Sequence, residues 1–471
     1  MAAHCAEFAK KLGIEHRTTK IRWGEDGNPQ KPTQAFEQVA REARYDLLLD
    51  ALRTMGSNII AFGHHADDQV ETALMRLGKG SSILGARGMR RISRWGMRST
   101  PQPWHTVDMN LLGMNTWIIR PLLSIPKDAI LATCEARGLE YVTDQTNFQP
   151  DLTIRNAIRQ YVAGTLTLDD IKQPAIRQDL LDVQKVLLKT PEFGADLTSG
   201  PMALRKAVKG VGLRETRMAS DVDHILSQCR LPSPVGTILL SQSDLMQYTL
   251  DPTLSMAFIR RILRYLSPEP WGSLRAELRQ RSKRSKVIVR NLFTPITANS
   301  LPFVSGSRVM WTPVVVRGGK IKDVASLRVH RDSRSGQEET LAWMASRQPE
   351  ARKNEGLYAD EIEKRQGQEV HDILSNTLKD PSRQQDTVEV LWDYRYRIRY
   401  TLGKMPSTIA SHVLSPDNKV VIQPYGKWYS PRVVLKMGKC GDEVELAKLE
   451  EGQAPSQDWI KIDFIRSLDR L

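Results

Sequence analysis

Cysteine is scarce in this sequence: Cys5, Cys134, Cys229 and Cys440 are the only four in 471 residues, and they lie far apart. With no CxxC pair there is no local basis for a zinc ribbon, an iron–sulfur cluster or a dithiol redox site, and the thiols read as free, as in a reducing compartment. Long apolar runs are missing too. Nothing approaches the roughly 18 residues that a membrane-spanning helix needs, so no membrane partner is expected. The opening MAAHCAEFAKKLG lacks the apolar centre of a secretory signal, and Glu7 argues against a transit peptide; it reads as an amphipathic helix. There is no internal repeat. Acid is in deficit, with 54 Asp and Glu against 68 Lys and Arg, a formal charge of +14. Such an excess favours a polyanionic partner through counterion release, although mitochondrial proteins also run basic.

What is present is an ordinary globular balance, 40% apolar and 26% charged, in a chain long enough for two to four domains. Residues 2–12 predict a helix ended by Gly13, and EHRTTKIRW (15–23) alternates like a strand. From Thr33, an N-cap candidate, a helix is expected to Gly56 with Phe36, Val39, Ala40, Ala43, Leu47 and Met55 on one stripe. NIIAFG (58–63) and TWIIRPLL (116–123) read as buried parallel strands, 125–137 as a helix closed by Gly138, and EYV (140–142) as a further strand. Strands alternating with helices imply a parallel α/β sheet with ligands at the carboxyl ends of its strands. After about residue 165 the pattern turns helical, including LSMAFIRRILRYL (254–266) with Met256, Ile259, Leu263 and Leu266 as its stripe. KVIVRNLF (286–293), MWTPVVVRG (310–318) and LWDYRYRIRY (391–400) look strand-like, and the charged stretch 331–387 reads as an exposed insertion or mobile linker with short helices. Three regions are expected: 1–165, 166–300 and 301–471.

The densest chemistry lies in FGHHADDQVETALMRLGKGSS (62–82). A strand ending at Gly63 delivers His64 and His65 to the sheet edge, and Asp67 or Asp68 is placed to cap the next helix. Asp68 and Glu71 have capping-box spacing, and Val70, Leu74 and Leu77 form a buried stripe. Acids at a helix N-terminus suit its dipole, so capping alone explains much of the pattern. Two histidines and a second aspartate exceed what a cap needs. A metal site is one reading, but adjacent histidines point apart on extended backbone. A pair of carboxylates that holds an ammonium group, or acts as base for one, is the other.

HHADDQVETALMRLGKGSSILGARGM (64–89) closely resembles the signature of the tRNA(Ile)-lysidine synthases, members of the PP-loop ATP pyrophosphatase superfamily. LGIEH (12–16), AREARYDLL (40–48), RPLLSIPKDAI (120–130) and LEYVTDQTNFQPDLTIRNAIR (139–159) resemble other segments of that family in the expected order, covering about residues 2–165. The resemblance implies an adenine nucleotide alpha hydrolase-like α/β domain, N-terminally incomplete, then a mainly helical region and an α+β C-terminal region. It implies an ATP-dependent ligase, with Mg²⁺, that adenylates the wobble cytidine of the CAU-anticodon tRNA(Ile) and transfers L-lysine to its C2. It marks Asp68 and Glu71 as the catalytic, lysine-handling pair, and Asp67 as a cap or a contact to Mg²⁺. His64, His65, Gln69, Lys79, Gly80, Ser81, Arg120, Asp144, Asn147, Arg155, Asn156 and Arg159 are the implied contacts to lysine, nucleotide or tRNA.

The superfamily's SGGxDS loop, whose backbone N–H groups cradle ATP phosphates, occurs nowhere in the 471 residues. Two readings follow: a longer protein of which this is a part, or a non-catalytic RNA-binding relative on a degenerate scaffold. Basic stretches favour RNA in either case. GARGMRRISRWGMR (85–98) has five Arg and no acid, LRAELRQRSKRSKVIVR (274–290) is nearly as one-sided, and LWDYRYRIRY reads as an apolar strand face with Arg395, Arg397 and Arg399 as a comb opposite. The divergent C-terminal half suggests a eukaryotic protein, mitochondrial or cytoplasmic.

Overall fold

A computed structural model describes residues 1–25, 30–31, 36–83, 85–97, 109–248, 251–272, 282–324, 339–349, 367–438, 442–449 and 457–469, with backbone alone at 36–38 and 282–283. Two compact units emerge: Met1–Trp95 with Asn115–Ala219, and Gly96–Met114 with Ser220–Arg470. The first unit contains α1 (Ala2–Lys11), α2 (Phe36–Thr54), β1 (Ile59–Ala61), α3 (Ala66–Gly78) and β2 (Ile92–Arg94). After α4 (Met109–Asn115) follow β3 (Trp117–Ile119), α5 (Lys127–Ala136), α6 (Ile154–Val162), α7 (Pro174–Leu188) and α8 (Gly200–Cys229), which belongs to this unit as far as Ala219.

The sheet of this unit is mixed rather than wholly parallel. Its order is β1-β3-β2, with β1 parallel to β3 and β2 antiparallel to it. A parallel pair needs a long crossover, and α3 and the chain after it supply one. The core lies on the helices. Val70, Ala73, Leu74 and Leu77 of α3 pack with Ala157, Ile158 and Val162 of α6, Leu180, Val183 and Leu187 of α7, and Leu204, Val208 and Val211 of α8. Each large side chain so buried contributes about 1.5–3 kcal/mol. This packing continues past residue 165, so the compact unit extends into α8.

Several expected elements differ. EHRTTKIRW and EYV form no ladder among the described residues, because alternation makes a strand only where a partner exists. Thr33 lies outside the described residues, and in α2 the buried positions are Ala43, Leu49 and Leu52, with Met55 exposed.

In the second unit, β4 (Arg230–Leu231), β5 (Ile238–Ser241), β6 (Phe303–Val304), β7 (Val309–Arg317), β8 (Lys320–Asp323) and β9 (Glu339–Arg347) form one antiparallel sheet, ordered β4-β5-β9-β7-β6 with β8 on β7. It packs on α9 (Gln242–Leu245), α10 (Pro252–Leu266) and the helix Ser282–Leu292 around Phe258, Ile262, Trp311 and Trp343. KVIVRNLF is thus helical. Ser285, Ile288 and Leu292 are the buried positions of the helix that contains it, a helical spacing hidden by three consecutive β-branched residues. Within the expected insertion 331–387, residues 339–347 belong instead to the sheet as β9, with Ala342–Ala345 buried, while 331–338 and 350–366 lie outside the described residues.

Further on, β10 (Gln368–Glu369), β11 (Thr387–Trp392), β12 (Tyr396–Thr401), β13 (Lys419–Tyr425), β14 (Ser430–Met437), β15 (Asp442–Lys448) and β16 (Ile460–Phe464) make two more sheets, β11-β12-β16 and β10-β13-β14-β15. LWDYRYRIRY is a hairpin and not one strand. Asp393 and Tyr394 both take φ near +50°, the primed-turn geometry that reverses a hairpin. Tyr396, Ile398 and Tyr400 are buried as expected.

Candidate active site

The site is built where β1 hands over to α3. The N–H of Phe62 extends the ladder to the carbonyl of Ile119 at 2.9 Å, and the N–H of Ala66 bonds to the carbonyl of Ile125 at 2.9 Å, which fixes the start of α3. The N-cap is His65 rather than either aspartate. Its Nδ1 accepts from the N–H of Asp68 at 3.4 Å, and Asp68 Oδ2 accepts from the N–H of His65 at 2.9 Å. This is a capping box with an imidazole in the Ser/Thr role. Because the box closes at Asp68, Glu71 is left out of the cap and is buried below it, on the same face of the helix.

Glu71 meets two arginines of α6. Arg159 Nε donates to Oε1 at 2.7 Å and Arg159 Nη1 donates to Asn147 Oδ1 at 2.8 Å. Arg155 is looser, with Nε 3.7 Å from Glu71 Oε2 and Nη1 4.0 Å from Asp68 Oδ1. Neither Glu71 Oε2 nor Arg155 Nε makes a hydrogen bond. Burial raises the Glu71 carboxyl above its ordinary value against the opposing pull of Arg159 and Arg155, and the charge of Asp68 adds to the rise.

Asp67 takes a different part. Arg205 Nε donates to its Oδ1 at 2.8 Å, and its Oδ2 accepts from the N–H of Lys127 at 2.9 Å, so it ties α3 to α5 and α8. With both oxygens engaged it is no ready Mg²⁺ ligand, and among the described residues no three His, Cys, Asp or Glu side chains gather to hold a metal. The residues present therefore do not fit a protein-built metal cage.

His64 is half-buried, with its ring 5.4 Å from that of Phe62 and its buried Nδ1 without a hydrogen bond. Burial lowers its pKa, and the positive charges of Arg120, Arg41 and Arg155 act the same way against Asp68. Phe62 stacks on Tyr45 at 5.6 Å and Tyr45 packs against Trp95 at 5.0 Å. Arg41 lies over Tyr45 and Arg120 over Phe62, at 4.8 and 6.0 Å. Sequence reasoning missed Arg41, Tyr45, Phe62 and Trp95 as lining residues. The i, i+4 spacing of Arg41 and Tyr45 on α2 is the one signal that pointed to them.

The remaining expected residues divide. Arg120 is buried and donates from Nη1 to the carbonyl of Arg90 at 2.8 Å. Gln69 pairs through its amide with both backbone groups of Met89. Gly88, at φ +79°, is needed there because a Cβ would meet the Gln69 side chain. Asp144 caps the short turn Gln145–Phe148 by accepting from the N–H of Thr146 at 2.9 Å, and Asn156 Nδ2 donates to the carbonyls of Thr146 and Gln149 at 2.8 and 3.0 Å. These two shape the loop that presents Asn147 to Arg159. Lys79, Gly80 and Ser81 are not brought to the site. They close the C-terminal end of α3, with Gly80 at φ +77° and the N–H of Ser81 on the carbonyl of Arg76, roughly 20 Å along the helix from His65.

The expected basic surfaces are partly neutralised. Arg87 and Arg90 pair with Glu215. Arg397 pairs with Asp463 at 3.0 Å and Arg399 with Glu389 at 2.9 Å, while Arg395 is wholly buried on Asp393. Of 274–290, residues 274–281 lie outside the described residues, while Arg284, Lys286 and Arg290 are exposed.

Residues 1–166 match the family described as the PP-loop domain. The chain is 32% identical over 199 residues to the tRNA(Ile)-lysidine synthase of Rhodopseudomonas palustris, covering 41% of this chain and 50% of that protein. It is 32% identical over 166 residues to the enzyme of that name from Bacillus subtilis, 35% of this chain and 30% of the relative. With that of Bacillus cereus the identity is 26% over 269 residues, 57% of this chain and 50% of the relative. The chain thus spans half or less of the length of these curated relatives.

Proposed function

We propose, from the match of residues 1–166 to the PP-loop domain and their likeness to tRNA(Ile)-lysidine synthases, that this protein takes part in ATP-dependent transfer of L-lysine to the wobble cytidine of the CAU-anticodon tRNA(Ile). The observation that carries this reading is the pairing of Asp68 with the buried Glu71 at the mouth of α3, beside the aromatic and arginine-lined edge of the sheet.

In this reading ATP is a substrate. It activates the C2 oxygen of the cytidine as an adenylate and releases pyrophosphate. Asp68 and Glu71 hold the ε-ammonium of lysine. Glu71, whose pKa is raised by burial, takes a proton from it. The free amine then attacks C2, the C2–O bond to AMP breaks, and a C–N bond replaces it. His64, kept neutral by burial, and the Tyr45–Phe62 stack supply apolar and hydrogen-bonding walls for an unpaired base. Arg120 and Arg41 add positive charge for the phosphates. Among the described residues no helix is long and apolar enough to cross a membrane. A mitochondrial or cytoplasmic place fits an enzyme of tRNA.

The 471 residues contain no SGGxDS loop, so the test uses the chain alone and the chain fused behind a PP-loop segment from a bacterial relative. Incubation with CAU-anticodon tRNA, ATP and labelled lysine is expected to yield lysidine only with the fusion. In the fusion, Asp68→Ala or Glu71→Ala should lower transfer by about 100-fold or more while tRNA binding changes little. Tight tRNA binding without transfer by the intact fusion would refute a ligase and favour an RNA-binding relative.

A further inference from the structure

The two arginines on Glu71 are not equivalent. Arg159 is fixed at both ends, by Glu71 at 2.7 Å and by Asn147 at 2.8 Å. Arg155, one turn earlier on α6, lies 3.7 and 4.0 Å from Glu71 and Asp68. A guanidinium matched to a carboxylate donates at about 2.7–2.9 Å, often twice. Arg155 instead leaves Glu71 Oε2 and its own Nε without hydrogen bonds, although Glu71 is only 2% exposed. Its charge offsets the repulsion between two carboxylates, but its flat fork satisfies neither. A primary ammonium is smaller and carries three donors that point apart, a better match to single oxygens of two different carboxylates.

We propose that Arg155 is a displaceable placeholder in the amine site: it bridges Asp68 and Glu71 when the site is empty, and the ammonium of the incoming amino acid must replace it. This rests on the reading of Asp68 and Glu71 as the lysine site. The side chain is 28% exposed, so solvent is open to it when it leaves, whereas Arg159 stays and keeps Glu71 in position. Arg155 acts as a positioning and selectivity residue rather than as a catalytic one. An amine with no second carboxylate contact cannot offset its removal. The population in which Arg155 has left limits the apparent affinity for lysine, since a minor competent state weakens binding by its own fraction.

The experiment measures L-lysine affinity by calorimetry on the full chain and its variants, without tRNA. Arg155→Gln removes the placeholder charge and is expected to tighten lysine binding by about 5-fold. Arg155→Lys supplies a tethered ammonium that fits the carboxylates and is expected to weaken it by a similar factor. A merely structural arginine would give the opposite order, with Lys the milder change. Arg159→Gln should weaken binding by loosening Glu71. Thermal melts of each variant separate loss of binding from loss of folding. Equal or weaker binding by a folded Arg155→Gln, with wild-type binding intact, overturns the role of Arg155 alone. No lysine binding by the wild type and every folded variant overturns both this role and the lysine site.

Discussion

Both units of this protein set arginines against carboxylates, and they do so with opposite results. In the second unit, Asp393 sits on a left-handed turn between β11 and β12 and receives Arg395 Nε at 2.7 Å, with Arg347 at 3.4 Å. Arg395 also donates to the carbonyl of Tyr429 at 3.1 Å, and Arg466 donates to the carbonyls of Tyr394, Arg264 and Glu269. These arginines are staples, buried and tied to backbone. In the first unit the arginines of α6 meet Asp68 and Glu71 at the open end of a helix, and one of the two pairs loosely. Paired charge in a core is structure; charge held at a distance beside a buried oxygen that makes no hydrogen bond is the arrangement from which we propose a place for another cation.

The widest gap between the units should appear in stability. Asp393→Ala strands Arg395 and Arg347 in the second unit's interior without their counter-charge, an expected loss of about 3–5 kcal/mol by urea unfolding. A loss below about 1 kcal/mol would mean that these arginines are not staples.

A smaller effect sets His64 apart. Its folded pKa lies below the ordinary 6.5, so between those two values the unfolded chain binds more protons than the folded one. Stability therefore falls as pH drops through 6.5 and levels off below the folded value. His64→Asn should reduce that slope. NMR titration of His64 should give a midpoint under 6.5, and a midpoint above it would contradict the buried setting.

The smallest change belongs to Arg397 and Arg399. Paired at the surface with Asp463 and Glu389, each should contribute about 0–1 kcal/mol, and the double alanine variant should leave the salt dependence of tRNA binding unaltered. A slope reduced by about two would instead show both residues on phosphates, as the comb in the sequence suggested.

Legibility in the sequence followed the range of the interactions. The handover from β1 to α3, the stripe Val70, Leu74 and Leu77, and the closeness of Asp68 to Glu71 are local, set by strand and helix periods within fifteen residues. KVIVRNLF misled because β-branched residues favour strands in isolation, and packing on α10 overrode that preference. The cap was read one turn late because aspartate is the commoner cap, whereas the chain placed an imidazole where an acceptor was needed.

By itself the sequence determined that this is a basic α/β protein whose lysidine synthase-like signature places two acids in the first turns of a helix at a sheet edge. Only the tertiary structure decided what each acid meets. Arg159 reaches Glu71 across 88 residues and Arg205 reaches Asp67 across 138. Those partners arrive because α6 and α8 bury apolar stripes against α3. Hydrophobic packing of that kind sets which polar faces come together, and nothing in the local spacing of the acids encodes it.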